Sequence, residues 1–164
     1  MNNIHASFQS GGGFQIGSFC VIEPNVIVGQ NVKIGNYVLL KEGTRIGDNC
    51  FIDSYARSSG DNIIGNNVTI RFGSTIARRV ILRDNVFIAP NVMTEYSRAD
   101  GSKAIETLIK EDVFIGTAAV IGSGVTIERG IVVGSQSYVS NDLTIENGIY
   151  VGVPANLKKR IGDK

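Results

Sequence analysis

Aliphatic residues return every sixth position along most of this chain. From Ile16 the series runs through Ile22, Val28, Ile34, Leu40, Ile46, Ile52, Ser58, Ile64, Ile70, Ile76, Leu82 and Ile88, aliphatic at twelve of thirteen places. The register then breaks, and it resumes at Ile109, Ile115, Ile121, Ile127, Val133, Val139, Ile145 and Val151, eight of eight. The fourth residue after each is nearly as restricted. It is Val, Ile, Leu, Ala, Cys, Ser or Thr throughout, except Asn62 in the weak hexad that also holds Ser58. Glycine follows the aliphatic residue nine times, and Asn, Asp or Gly often stands two places further on, as in Asn31, Asn49, Asn67 and Gly124. These residue types tolerate a positive φ at a tight corner.

A period of six is not the 3.6-residue repeat of a helix face, nor the two-residue alternation of a long strand. It fits a short strand with two inward positions followed by a turn. Three such strands close a triangular coil of 18 residues, and the repeats predict about seven coils. Stacked at the spacing of paired strands, these make a prism about 34 Å long, each coil burying its aliphatic row against the next. The boundaries this predicts are a lead-in over 1–15, a repeat domain over 16–156 with an external loop at about 94–108, and a basic tail over 157–164.

The segments IGDNCFI, IGNNVTI, IGTAAVIGSGVTI and VGVPANLKKRI resemble the hexapeptide-repeat family. That resemblance implies an all-β, single-stranded, left-handed parallel β-helix and a homotrimer with parallel axes and sites between subunits. The runs RDNVFIAPNV before the loop and VFIGTAAVIGSGVTI after it are similar to the flanks in the acyl-CoA-dependent acetyltransferase branch. The short chain is closest to members found with surface-polysaccharide and O-antigen synthesis. The activity implied is transfer of an acetyl group from acetyl-CoA to a sugar, with no metal.

The break in register, TEYSRADGSKAIETL, is polar and carries charges of both signs. A loop leaving a rigid scaffold is the usual place for a site. Counting in steps of 18 sets Asp53 and Arg71 on what is expected to be the loop's face, with Asn91 in a parallel row. With Tyr96 they are the candidate acceptor residues. By resemblance the pantetheine arm of CoA runs along Gly116, Thr117, Gly134, Ser135, Ser140 and Asn141, and Lys158, Lys159 and Arg160 meet its phosphates. The family's general base is a histidine in the loop, and here the only histidine is His5. Glu95 and Asp100 are therefore the candidate catalytic groups, a carboxylate base requiring a raised pKa such as burial gives. A hydroxyl acceptor depends on a base, worth ~10²–10⁴ in rate. An amine attacks through its lone pair and loses its proton afterwards, so the missing histidine favours an amino sugar or a nucleotide-linked sugar.

Composition narrows the alternatives. Glycine is 20 of 164 residues while proline is 3, which fits neither collagen nor a helical bundle. A net charge of +1 suggests neither nucleic acid nor an anionic membrane as partner, and no apolar run approaches the ~20 residues of a membrane span. Cys20 and Cys50 make neither a disulfide framework nor a zinc site, and with no signal-peptide pattern a cytoplasmic protein is expected. One histidine excludes a three-histidine zinc anhydrase of this fold. Sugar O-acetylation with a carboxylate base and a catalytically lapsed scaffold stay open as alternatives.

Overall fold

The computed structural model describes residues 1–97 and 106–163. Asp100 lies outside them. Twenty-four short strands form three sheets, almost wholly parallel, of eight, seven and nine strands. Sheet A begins with Asn3–Ile4 and Val21–Ile22 and ends with Val120–Ile121 and Tyr138–Val139. Sheet B runs from Gln9–Ser10 to Thr126–Ile127, and sheet C from Gln15–Ile16 to Gly148–Val151 and Asn156–Arg160. The chain visits A, B and C in turn, so each strand pairs with the one a full coil away, as Val21 does with Leu39. This is the triangular parallel β-helix expected from the six-residue period.

Both predicted rows are the core. Ile22, Leu40, Ile52, Ile76, Leu82, Ile88, Ile115 and Ile121 are almost fully buried, and so are Val26, Val32, Val68 and Val92 from the second row. The weak hexad is a closed polar cluster. Ser58 and Asn62 are buried, and so is Thr44. The Ser58 hydroxyl donates to Asn62 Oδ1 at 2.6 Å and lies 2.6 Å from the Thr44 hydroxyl. Asn62 also accepts from the Gly60 N–H and donates to the Ala77 and Val80 carbonyls. Every hydrogen-bonding position of its amide is used, which is what lets it sit among aliphatics.

Three boundaries differ from the sequence reading. The coils begin at Asn3 rather than Ile16, because Asn3–Ile4 and Gln9–Ser10 pair in register with the second coil. Ile4 and Ser10 are exposed, since no coil lies beneath them, and this coil brings the total to about eight. At the other end the row slips after Val139. Ile127 bridges Leu143 rather than Ile145, and Val133 pairs with Tyr150, so Tyr150 turns inward and Val151 is exposed. The large ring fills the end of the prism, and its hydroxyl accepts from the Ile145 N–H at 3.1 Å. The basic tail is not free either: Asn156–Arg160 runs antiparallel along Gly148–Val151 and closes sheet C.

The glycine after the aliphatic position serves the neighbouring coil. A Cβ on Gly116 would lie 2.5 Å from the Ser135 nitrogen and 2.7 Å from the Gly134 carbonyl carbon. Its missing side chain therefore admits the backbone of the next coil, not an open groove.

Candidate functional site

The loop leaves the prism at the edge between sheets A and B. It joins Met93–Thr94 of sheet A to Thr107–Ile109 of sheet B, so Thr94, Thr107 and Leu108 belong to the ladder and the excursion is narrower than the sequence suggested. Across the insertion, paired residues stand 27 apart instead of 18, as Asn85 and Asp112 do. Threonines root both ends. Thr94 takes the inward position that Ile76 and Ile121 hold on other coils, and its Oγ1 accepts from the Ala77 N–H at 2.6 Å. Elsewhere a backbone carbonyl fills that role, as Ile76 does for Ser59 at 2.8 Å. Thr107 Oγ1 accepts from the Gly124 N–H at 2.8 Å, and the Ser123 hydroxyl donates to the Tyr96 carbonyl at 3.3 Å.

Above this root lies a pocket of about 460 Å³. Glu95 forms its lower lip, residues 122–125 its floor, Tyr138 one wall and residues 140–142 its upper rim. Gly124 brings no side chain to this corner, whereas a Cβ on Gly122 would lie 2.7 Å from the Val139 carbonyl oxygen, so Gly122 serves the next coil. Glu95 is half-buried, and its Oε2 accepts from the Tyr138 hydroxyl at 3.4 Å. Asp142 holds the rim through the Thr126 N–H at 2.7 Å, and the Asn141 amide donates to the Ser140 hydroxyl at 3.1 Å. Among the described residues the lining carries two carboxylates, Glu95 and Asp142, and no Lys, Arg or His.

The sequence-derived candidates fall on two edges, not one. Glu95, Tyr96, Ser140 and Asn141 lie on the A–B edge. Asp53, Arg71, Asn91, Gly116, Thr117, Gly134 and Ser135 lie on the C–A edge, across the width of sheet A. The expectation that Asp53 and Arg71 share the loop's face is therefore wrong. Glu95 comes seven hexads after Asp53, which is two full coils and one face further. Asp53 and Arg71 pair with each other, Nε to Oδ2 at 3.2 Å. Ser140–Asn141 is likewise not continuous with the Gly116–Ser135 line. Lys158, Lys159 and Arg160 are exposed on the antiparallel strand, whose hairpin turn packs on Ser137 and Tyr138 through Gly152 and Ala155.

Two features had been missed. Tyr138 and Asp142 complete the pocket. Tyr138 was findable, as the outward neighbour of Val139 on the face that also carries Met93. The second feature is a ridge of half-exposed aromatics on the C–A edge, Phe19, Tyr37, Tyr55 and Phe72, with successive ring centroids 5.1, 4.9 and 5.3 Å apart. The first three occupy corner positions with φ of 59°, 56° and 62°, where bulky side chains are uncommon. His5 is an exposed residue bonded to Ser7. Among the described residues no group of three or more His, Cys, Asp or Glu could hold a metal ion, and no helix is long and apolar enough to cross a membrane.

Solved structures share this architecture. A UDP-N-acetylglucosamine acyltransferase aligns with a TM-score of 0.66 at 17% identity, over 94% of this chain and 70% of its own. A hexapeptide-repeat acetyltransferase of Vibrio cholerae O1 biovar eltor, solved with acetyl coenzyme A, aligns with a TM-score of 0.53 at 21% identity, over 93% of this chain and 73% of its own. WeeI from Acinetobacter baumannii AYE matches at 18% identity with a TM-score of 0.47, over 94% of this chain, which spans only 56% of that protein. For the first two, at these identities, the likeness is one of fold. No curated protein matches the sequence. Residues 10–111 match the family described as the GMPPB C-terminal domain. That match spans most of the chain and most of its coils, and the protein belongs to the GMPPB C-terminal domain family.

Proposed function

We propose that this protein is an acetyl-CoA-dependent acetyltransferase whose acceptor is a sugar bearing an amine. The pocket beside Glu95 carries the reading. Among the described residues its lining is anionic and holds no imidazole, and the root of the loop closes it on one side. A hydroxyl acceptor would depend on a base within reach. An amine needs less: a carboxylate to attract the cationic group, which gives one proton to solvent before attack, and to take the second proton lost after attack. In the step proposed, the neutral amine nitrogen adds to the thioester carbonyl. The nitrogen's proton passes to Glu95, the carbon–sulfur bond breaks, and CoA leaves as the thiol after taking up a proton. Tyr138 holds the Glu95 carboxylate in place.

The donor side of the reading places acetyl-CoA on the C–A edge, along Thr117 and Ser135, with Lys158, Lys159 and Arg160 meeting the phosphates. Support comes from the neighbour of this fold solved with acetyl coenzyme A. Within one chain the two edges are held apart by sheet A. A cyclic trimer with parallel axes resolves this, because the C–A edge of one copy meets the A–B edge of the next. The acceptor is assigned to surface-polysaccharide synthesis in the cytoplasm by resemblance alone.

A second reading is a β-helix module without acyltransferase chemistry. The absence of histidine from residues 95–106 favours it. Isothermal titration separates the two. Acetyl-CoA should bind with a micromolar constant, and absence of binding at millimolar CoA overturns the proposal.

A further inference from the structure

We propose that Arg78 and Arg79 form an anion subsite for the diphosphate of a nucleotide-linked acceptor, the amino sugar of that acceptor lying in the Glu95 pocket. The inference rests on reading that pocket as the acceptor site. Ala77, Arg78 and Arg79 make the A–B corner of the coil directly beneath Glu95, tied to the loop root by the 2.6 Å bond from the Ala77 N–H to Thr94. Successive coils are ~4.8 Å apart. That is roughly the breadth of a hexose ring, so the anomeric phosphate of a sugar seated against Glu95 reaches the arginine coil.

Arg78 is held ready. Its Nη1 lies 3.4 Å from Asp61 Oδ2, and its Nε donates to the Ser59 carbonyl at 3.4 Å. The side chain rests across Gly60, where a Cβ would stand 3.1 Å from Arg78 Nη2 on a backbone with φ of 103°. Two of five guanidinium donors are thus engaged by groups below, and the side chain is still 43% exposed. Arg79 is the unusual residue. Its corner position has φ of 62°, and the equivalent corners of this edge are Asn25, Gly43, Asp61 and Gly124, all residues suited to positive φ. A long cationic side chain there costs backbone strain. Arg79 is exposed and makes no ion pair among the described residues.

Charge divides the A–B edge accordingly. Glu95 and Asp142 exclude a phosphate from the pocket itself, while the guanidiniums offer planar donor pairs that match phosphate oxygens. Asp61 partly offsets Arg78, which leaves Arg79 as the dominant charge. An acceptor with an amine at one end and a diphosphate at the other fits both.

The test uses the full-length protein, Arg78→Ala, Arg79→Ala and, as a control on sheet C, Lys33→Ala, with folding checked by circular dichroism. Acetyl transfer is measured to a free amino sugar and to the same sugar linked to uridine diphosphate, and inorganic pyrophosphate is titrated calorimetrically. Arg79→Ala should raise KM for the linked acceptor at least tenfold, leave kcat and the free sugar unchanged, and abolish pyrophosphate binding. Equal effects on both acceptors, or none on either, overturn the subsite while the acetyltransferase reading stands. If no acceptor is acetylated, the titration decides alone. Pyrophosphate binding lost in Arg79→Ala but kept in Lys33→Ala supports the subsite, and binding that is absent or indifferent to Arg79 overturns it.

Discussion

Replacing Asn62 by valine would restore the repeat, yet it should destabilise the fold. The change makes the second inward row aliphatic at this coil, as Val68 and Val80 are. In the structure it removes the acceptor of the Ser58 hydroxyl and the side-chain acceptor of the Gly60 N–H. Ser58 and Gly60 are both buried. The Ser58 hydroxyl keeps Thr44 Oγ1 as an acceptor at 2.6 Å while Thr44 donates to the Lys41 carbonyl at 2.7 Å, so the stranded group is the Gly60 N–H. Stranding it costs ~1–3 kcal/mol. For a chain of this length each kcal/mol lowers Tm by ~2–4 °C, which gives a drop of roughly 2–12 °C by calorimetry or thermal circular dichroism. An Asn62→Val protein as stable as the parent would refute the view that the cluster is a satisfied unit.

Three further outcomes are expected. Burial lifts the Cys50 thiol to about 11 from 9.0. A raised folded-state value means the stabilisation is fully present below pH 9 and is lost as pH rises towards 11. That loss is on the order of 2–3 kcal/mol, seen as a falling denaturant midpoint and absent in Cys50→Val. Glu95→Gln should lower kcat/KM for the amino-sugar acceptor by ~10² in steady-state assays; an unchanged amine rate would remove Glu95 from the site. Sedimentation should give a species three times 17.6 kDa, and a stable monomer at micromolar concentration contradicts the paired-edge site.

The fold was legible because its determinants are local and repeated. Ile22, Val26 and their successors report a six-residue period that only a triangular coil satisfies. The ends were not legible. Ile4 and Ser10 face an uncovered base and need not be aliphatic, and Asn156–Arg160 is exposed on every residue, so neither leaves a burial pattern. The break in period led to Glu95. The steps of 18 that join Asp53 to Arg71 reach Ala89, one hexad short of Glu95, so that row lies on the neighbouring edge. The glycines misled for a different reason. Gly116 looks like room for a ligand in sequence, whereas in the coil its missing side chain is taken up by Gly134 and Ser135.

The most direct test of the amine-acetylation account is product analysis. The purified protein is incubated with acetyl-CoA and paired acceptors, an amino sugar and its hydroxyl analogue, with mass spectrometry of products and titration of released CoA thiol. The account predicts an N-acetylated amino sugar matched one for one by free CoA, with little product from the hydroxyl analogue. Acetylation of the hydroxyl analogue alone, or no product from either acceptor with acetyl-CoA bound, would contradict it.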